Sequence, residues 1–298
     1  MRFRKMMVLV LVLALAGQTA PDLSERFFNN SGSVIVFLGD SITHAGGYIN
    51  DLKALIVKRY PQSKAKFVNQ GKASETVSGL TENGHPGPRP VVFDRLDTVL
   101  AAEKPDLVIA CYGMNDGIYH PYQTARAKAF QDGIQRLIRD VRATGAEIIL
   151  ATPPVFDSLQ AANSDRLATG NDTAYKWTNA YRNYDSVLTA YSAWELSLRS
   201  AEQMVVDIHG PMLSWVKAQR KLDPKFTWTG DGIHPGAEGH QVMADALYAG
   251  MFSPVTGARI LRSRPREQAS PRRYFLNGRR CPLPEGAVNP DLPFPLLP

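Results

Sequence analysis

The sequence predicts an α/β fold in which five parallel strands form a sheet covered by helices. Short apolar runs alternate along the chain with amphipathic segments. The runs are continuously apolar, as expected for strands that are buried on both faces of a parallel sheet. A β-α-β alternation of this kind predicts a doubly wound sheet with right-handed crossovers. The predicted strands are 33–38, 66–69, 107–112, 147–151 and 204–208, and the predicted helices are 48–60, 91–103, 125–144, 174–200 and 241–251.

The fourth predicted helix, 174–200, carries a stripe of large side chains at steps of three, four and seven residues. This spacing places them on one helix face and favours packing against the core over a ligand site. The stripe consists of Trp177, Tyr181, Tyr184, Leu188, Tyr191 and Leu198.

Residues 1–20 have the pattern of a secretory signal peptide. Three basic residues precede an apolar run, 7–16, that is short for a membrane span. We expect cleavage after Ala16, or after Ala20, where a proline would become the new N-terminus. An uncleaved anchor is the alternative. No other long apolar run follows, so we expect a secreted or periplasmic protein whose mature form has no membrane span.

The C-terminal segment, 255–298, is rich in Pro and Arg and has no helical or alternating apolar period. Such a composition buries too little apolar surface to offset chain entropy, which predicts a disordered tail; a frameshifted end would have a similar composition. The formal net charge is +6, of which residues 1–20 contribute +3 and the tail +5, leaving −2 on residues 21–254. Because the positive charge lies in the two ends, we expect no nucleic-acid partner for the folded part. Residues 21–254 have a length that fits one domain.

Cysteine and histidine positions favour neither a disulfide framework nor a metal site. Cys281 lies in the predicted tail, and Cys111 lies within an apolar run, where it is expected to be a small buried side chain. Five histidines lack the spacing typical of metal ligands; they are His44, His85, His120, His209 and His240. Because His44 and His120 follow predicted strands, we expect them to flank a cleft.

Polar residues follow three predicted strands and precede the last predicted helix. They are Gly39-Asp40-Ser41, Asn69-Gln70-Gly71, Gly113-Met114-Asn115-Asp116-Gly117 and Asp231-Gly232-Ile233-His234-Pro235. Each group has an ordinary structural interpretation, as a helix cap, a turn or a partner for backbone groups. In doubly wound folds, however, ligands bind beyond the carboxyl ends of the strands.

Taken together, these residues supply the groups needed for acyl transfer. A serine hydroxyl becomes a nucleophile when a base takes its proton, and His234 would do so for Ser41. Asp231, three residues before the histidine, would fix the imidazole tautomer. The backbone N–H groups of Ser41 and Gly71 and the side-chain amide of Asn115 would bind the negative oxygen of the tetrahedral intermediate.

The motifs resemble those of the SGNH (GDSL-type) hydrolases. Gly39-Asp40-Ser41-Ile42, Gly113-Met114-Asn115-Asp116 and Asp231-Gly232-Ile233-His234-Pro235 are similar to three of the family's four blocks, in the same order. The second block departs, since Ala73, Ser74 and Glu75 stand where the family often has Ser, Gly and Asp. The resemblance implies a flavodoxin-like α/β/α sandwich of three layers and a metal-free esterase mechanism without a cofactor. The Gly-x-Ser-x-Gly motif of α/β-hydrolases is absent, because Thr43 follows two residues after Ser41.

The expected substrate is a small ester, most simply an acetyl group on a carbohydrate. Trp228, Tyr119 and Tyr122 lie near the motifs among polar residues, a mixture that suits sugar stacking and hydrogen bonding. The resemblance adds that exported members include polysaccharide acetylesterases. Three alternatives remain: a lipolytic esterase, an O-acetyltransferase with the same acyl-enzyme, and a non-catalytic carbohydrate-binding domain. The sequence leaves the oligomeric state open.

Overall fold

Five parallel strands form one sheet in the order β2-β1-β3-β4-β5, which confirms the predicted α/β class. Strands β1 and β3 are apolar and almost wholly buried, whereas β2 lies at an edge and is partly exposed. Each strand lies within two residues of its predicted bounds. The strands are β1 (Val34–Gly39), β2 (Lys66–Gly71), β3 (Leu107–Cys111), β4 (Glu147–Ala151) and β5 (Met204–Val206).

The structure is a computed structural model that describes residues 24–29, 32–169, 174–200, 202–252, 275–276 and 279–280. The predicted signal peptide, 1–20, lies outside the described residues, and so does most of the predicted tail, 255–298. The four described residues of the tail form an antiparallel pair of short strands, β6 (Phe275–Leu276) and β7 (Arg279–Arg280).

Eight α-helices are described around the sheet. The chain adds β2 on one side of β1 and then adds β3, β4 and β5 on the other side. Right-handed crossovers therefore place α2 on one face of the sheet and α3, α4 and α6 on the other. The packing agrees, since α2 and α7 both contact α8, and Phe130 of α4 stacks on Tyr191 of α6 with ring centroids 4.4 Å apart. The helices are α1 (Ser41–Ala45), α2 (Gly47–Arg59), α3 (Leu96–Glu103), α4 (Thr124–Ala143), α5 (Ser158–Asn163), α6 (Tyr184–Ser197), α7 (His209–Leu222) and α8 (Ala237–Phe252).

The fourth predicted helix, 174–200, begins ten residues later than expected. The described residues before α6 form backbone pairs with other segments instead of helical bonds: Ala180 N–H donates to Arg166 O at 2.8 Å, and Tyr181 N–H donates to Tyr119 O at 2.9 Å. The part of the stripe on α6 is buried as predicted, while Trp177 and Tyr181 are only partly buried. Helices α1, α5 and α7 were not among the predicted helices.

The strand order creates a crevice at the carboxyl edge of the sheet. The chain leaves β1 in one direction to form β2 and then returns past β1 to form β3. The connections that leave β1 and β3 therefore run in opposite directions across the sheet, which opens a crevice between these two strands. Doubly wound folds bind ligands at such a switch point. Ser41 follows β1 and Asn115 lies four residues beyond β3. The topology therefore brings these two predicted site residues to the same crevice.

The core contains an unusual carboxyl group on α6. Glu195 is fully buried, and within the part of the chain that the structure describes neither of its oxygens has a hydrogen-bond partner, nor has Ser192 Oγ one turn earlier. Burial, with a smaller contribution from the negative charge of Asp116, raises the pKa of Glu195 well above its ordinary value. The folded protein therefore holds Glu195 in its protonated form at pH values where the unfolded chain releases the proton.

The parent protein should lose stability as pH rises, because the buried Glu195 carboxyl resists ionisation. We expect the Glu195→Gln variant not to show this loss. Below the unfolded pKa of about 4.3 both states hold the proton. Above it, stability falls with rising pH, by up to about 1.4 kcal/mol per pH unit, until the folded pKa is passed. Urea unfolding between pH 4 and pH 9 would measure this, and the variant should gain on the parent as pH rises.

The exposed Glu238 of α8 provides a matched control for that measurement. Glu238→Gln removes the same charge from a solvated position, so the unfolding free energies of this variant and the parent should follow parallel pH curves. Parallel curves for Glu195→Gln as well would contradict the assignment of a protonated Glu195.

Candidate active site

Ser41 is the first residue of α1, immediately beyond β1. Asp40 caps this helix, since its Oδ1 accepts the N–H of Ile42 at 2.9 Å. The capping role that the Asp-Ser pair suggested is therefore filled by Asp40, and the hydroxyl of Ser41 makes a different contact. The backbone N–H of Ser41, in the first turn, has no acceptor within the helix.

The structure brings Ser41, His234 and Asp231 into one chain of hydrogen bonds. Ser41 Oγ lies 2.8 Å from His234 Nε2, and His234 Nδ1 lies 2.8 Å from Asp231 Oδ2. If Nδ1 carries the proton that the carboxylate accepts, Nε2 is left to accept the serine proton. The His234 side chain is 45% exposed, so the chain of bonds opens to solvent.

Asp231 is held mainly by its own loop. Its Oδ1 accepts the backbone N–H groups of Ile233 and His234, both at 2.9 Å, and the hydroxyl of Thr229 at 3.2 Å. Gly232 carries a φ of +87°, and a Cβ there would lie 2.7 Å from Asp157 O. The Asp157 N–H also donates to Gly232 O at 2.8 Å. The segment preceding α5 therefore supports the loop from behind.

Burial and hydrogen bonding oppose each other at the two members of this pair. Burial alone would raise the pKa of Asp231, but the hydrogen bonds and charge of His234 outweigh it, and the pKa lies well below its usual range. Burial would lower the pKa of His234, but the hydrogen bond and charge of Asp231 raise it above the ordinary value. The arrangement stabilises an imidazolium paired with a carboxylate, the state that forms when the histidine takes a proton.

Asp40 adds a third ionisable group close to the serine. Burial raises the pKa of Asp40 to about 7, although the bond from Ile42 N–H lowers it in part. Its electrostatic interaction with His234 acts on both groups, favouring the ionised carboxylate and the protonated imidazole.

Asn115 is buried on the loop after β3, and Tyr119 fixes its amide. The Tyr119 O–H donates to Asn115 Oδ1 at 2.9 Å, which turns the Nδ2 group the other way. Nδ2 lies 3.4 Å from Glu75 O, a long contact for a hydrogen bond. The amide is thus oriented by its acceptor side, while its donor side is only weakly engaged.

The neighbouring Asp116 fastens this loop to the loop after β2. Its Oδ1 accepts the N–H groups of Val77 and Ser78 at 2.9 and 2.8 Å, and its Oδ2 accepts the N–H of Gly113 at 2.9 Å. Burial raises the pKa of Asp116, and these bonds oppose the rise. The interpretation as ordinary turn chemistry misses this role, because two of the three partners, Val77 and Ser78, lie on another loop.

Gly71, the predicted third oxyanion donor, is already engaged. Its N–H donates to Asn69 Oδ1 at 2.9 Å, and its carbonyl lies 3.2 Å from His44 Nδ1. A Cβ at Gly71 would also collide with the backbone of Thr43 and His44. The glycine is thus required for the approach of α1 to β2, and an oxyanion contact would have to replace the bond to Asn69.

The second motif, where the sequence departs from the family pattern, is anchored by buried ion pairs. Glu75 pairs with Arg95 through two contacts of 2.6 Å and accepts the Tyr112 O–H at 2.7 Å. Ser74 has a φ of +63°, and its carbonyl oxygen accepts Arg89 Nη1 at 3.3 Å. Tight contacts to distant side chains therefore hold this segment without the glycine common in the family.

Of the other predicted neighbours, some are exposed and some are buried. His44 is exposed and contacts Gly71, and Tyr122 is 52% exposed. Trp228 and Tyr119 are buried and cannot stack on a ligand. Among the described residues, no three His, Cys, Asp or Glu side chains are arranged to hold a metal ion, and no helix is long and apolar enough to cross a membrane.

Arg166 is a charged neighbour of Asp231 that sequence reasoning missed. Its Nη1 lies 3.5 Å from Asp231 Oδ2, and its guanidinium carbon lies 5.0 Å from the centroid of the Trp177 ring. Neither residue adjoins a predicted motif, and no sequence signal connects them to the triad.

The sequence profile of the GDSL-like Lipase/Acylhydrolase family matches residues 37–242. This span contains all five predicted site residues. A search of curated proteins finds no match.

Solved structures with low sequence identity share the fold. BT4096, a gut microbial diltiazem-metabolizing enzyme, is 20% identical with a TM-score of 0.58; the match covers 76% of this chain and 47% of BT4096, so the chain spans about half its length. A W215I variant of Axe2, an acetyl xylan esterase from Geobacillus stearothermophilus, is 22% identical with a TM-score of 0.51 over 79% of this chain and 99% of Axe2. LAE5, an alpha/beta hydrolase enzyme from the metagenome of Lake Arreo in Spain, is 23% identical with a TM-score of 0.50 over 74% and 95%.

We expect Tyr119→Phe to lower kcat for ester hydrolysis by about tenfold or more, because Asn115, the predicted oxyanion donor, loses the bond that orients its amide. KM should change less, since this bond matters most in the transition state. Steady-state kinetics would measure both parameters.

Tyr184→Phe is the matched control. The Tyr184 ring stacks on Tyr119 at 4.9 Å and is also buried, but its O–H donates to the Met114 backbone at 2.8 Å. It should lose similar stability and keep most of its kcat. Equal losses of kcat in the two variants would argue against a role for the amide orientation.

Proposed function

We propose that this chain, which belongs to the GDSL-like Lipase/Acylhydrolase family, is a carboxylic ester hydrolase that cleaves esters through Ser41, His234 and Asp231. The observation that carries the proposal is the pair of 2.8 Å contacts from Ser41 to His234 and from His234 to Asp231. Their position at the switch point of a parallel sheet supports it.

In the proposed mechanism, Ser41 Oγ attacks the ester carbonyl carbon while His234 Nε2 takes the hydroxyl proton. Asp231 stabilises the resulting imidazolium. The oxyanion receives the N–H of Ser41 and the Nδ2 of Asn115, and Gly71 contributes if its N–H exchanges Asn69 for the substrate. The imidazolium then protonates the leaving alcohol. Water, deprotonated by His234, attacks the acyl carbon. The bond to Ser41 Oγ breaks, the imidazolium returns its proton to that oxygen, and the carboxylic acid leaves.

We further propose a small acyl group, acetyl, on a carbohydrate as the substrate. Aromatic and polar side chains with exposed surface lie on or beside the segments of the candidate site: Tyr122 follows the loop that carries Asn115, Trp177 lies against Arg166, and His44 contacts Gly71. Such a surface suits stacking and hydrogen bonding to a sugar better than the burial of a long acyl chain. Secretion, proposed from residues 1–20, would place the enzyme where polysaccharides occur, and a neighbour of the same fold is an acetyl xylan esterase.

We expect a fluorophosphonate probe to label the protein at Ser41. Ser41→Ala should abolish labelling, and His234→Ala and Asp231→Asn should slow it, the latter by about 10⁴ if the tautomer is lost as in serine proteases. Labelling is followed by in-gel fluorescence and by the mass of the modified peptide.

Ser158 provides a matched control for Ser41, because the two serines start helices in the same way. Ser158 follows Asp157, which caps α5 through bonds to Leu159 N and Gln160 N, as Asp40 caps α1. Ser158→Ala should label like the parent. Folded parent protein that resists the probe would instead indicate a carbohydrate-binding domain without catalysis.

We expect faster cleavage of acetyl than of octanoyl 4-nitrophenyl esters, and release of acetate from acetylated polysaccharides. Specificity constants for the two esters, with enzymatic acetate assays on a glycan panel, would measure this. Preference for the octanoyl ester with no acetate release would favour a lipolytic enzyme. Transfer of acetyl to an added sugar in place of water would favour an O-acetyltransferase.

A further inference from the structure

Arg166 contributes a permanent positive charge next to the proposed triad. Its Nη1 lies 3.5 Å from Asp231 Oδ2, the oxygen that also contacts His234. Within the described part of the chain this Nη1 is buried and makes no hydrogen bond. The contact with Asp231 is therefore electrostatic, and it acts on the oxygen that controls the histidine.

Contacts other than the carboxylate hold Arg166 in place. The Arg166 N–H donates to Ala161 O and the Arg166 carbonyl accepts Ala180 N–H, both at 2.8 Å. The guanidinium lies over the Trp177 ring at 5.0 Å, a cation–π contact. Trp177 N in turn lies 3.4 Å from Glu82 Oε1, and Glu82 forms a buried ion pair with Arg89 at 2.6 Å. The cation is thus fixed by backbone pairing and an anchored aromatic ring.

We propose that Arg166 is a positioning residue of the active site, whose charge weakens the attraction of Asp231 for the proton on His234 and so widens the pH range in which His234 acts as a base. This inference rests on the proposed catalytic triad. It adds a residue that contacts neither the substrate nor the reacting atoms.

The direction of the effect follows from the charges that face His234. Asp231, on the same loop, and Asp40, at the end of β1, both stabilise the protonated imidazole and raise the pKa of His234, whereas Arg166 opposes them. His240 of α8 also faces this group, but burial lowers its own pKa and favours its neutral form. Tyr119 faces Asp231 and stays protonated, because burial raises its pKa. Arg166 is therefore the permanent cation among these described groups.

The test is the pH dependence of kcat/KM for 4-nitrophenyl acetate in Arg166→Gln. Removing the cation should raise the pKa of His234, so the acid limb of the profile should move to higher pH. We expect kcat/KM at pH 6, relative to the high-pH plateau of each enzyme, to fall by about two- to fivefold, the effect expected of a partly exposed ion pair. Arg166→Lys, which keeps the charge, should recover most of the loss, and Arg166→Met serves if the glutamine variant folds poorly.

Arg136, on α4, provides a matched control for the substitution of Arg166. It also lies over an aromatic ring, Phe93, at 4.0 Å and pairs with a carboxylate, Asp140, at 3.2 Å, but it has no contact with the triad. Arg136→Gln should leave the shape of the pH profile unchanged.

A second measurement does not depend on catalysis. The ring nitrogen signals of His234, assigned by their loss in His234→Ala, report its titration by NMR, and the midpoint should rise in Arg166→Gln. An unchanged midpoint and acid limb, in a protein whose activity disappears in Ser41→Ala, would overturn the role of Arg166 alone. Activity that survives Ser41→Ala would overturn the proposed triad, and the role of Arg166 with it.

Discussion

The site depends on the close approach of helix α1 to the ends of two neighbouring strands. Gly39 ends β1 and Gly71 ends β2, and the two are paired in register. A Cβ on Gly39 would collide with Thr43 and with the carbonyl of Cys111, and a Cβ on Gly71 would collide with the backbone of α1. Because both glycines lack a side chain, α1 turns directly over the sheet edge. Ser41 then lies at the crevice beside β3, within hydrogen-bond distance of His234, which is 193 residues later in the sequence.

Buried charges hold the loops around that edge. Glu75 with Arg95, and Glu82 with Arg89, are ion pairs with fully or nearly fully buried carboxylates, and Asp116 accepts three backbone N–H groups from two loops. Removing one partner of such a buried pair costs about 3–5 kcal/mol, because the other charge is left unpaired. Both ion pairs lie within the connection between β2 and α3, and Asp116 joins that connection to the loop after β3 through Val77 and Ser78. This rigidity keeps Asn115 in place without any regular secondary structure.

The sequence was sufficient to predict the sheet, because short, continuously apolar runs such as 107–112 are typical of strands that are buried on both faces of a parallel sheet. Helix prediction was weaker where tertiary pairing overrode local pattern. Segment 174–183 has a helical arrangement of aromatics, but Ala180 pairs with the segment around Arg166. Helix α7 was not predicted, and Gly210 and Pro211 lie in its first turn, where proline is tolerated because the N–H groups lack partners within the helix. The first of these differences reflects contacts between residues distant in sequence.

The same distinction between local and distant contacts explains which parts of the site the sequence revealed. Asp231 and His234 are three residues apart, and the loop that carries them satisfies most of the aspartate's bonds itself, so their pairing leaves a short motif. Gly71 also leaves a motif, but its N–H bonds Asn69, and only coordinates reveal that the glycine is needed for packing. Arg166 comes 65 residues before Asp231 and leaves no motif at all. The proposed reacting groups can therefore be recognised from short motifs, whereas the charge that we propose adjusts them is brought beside Asp231 only by the fold.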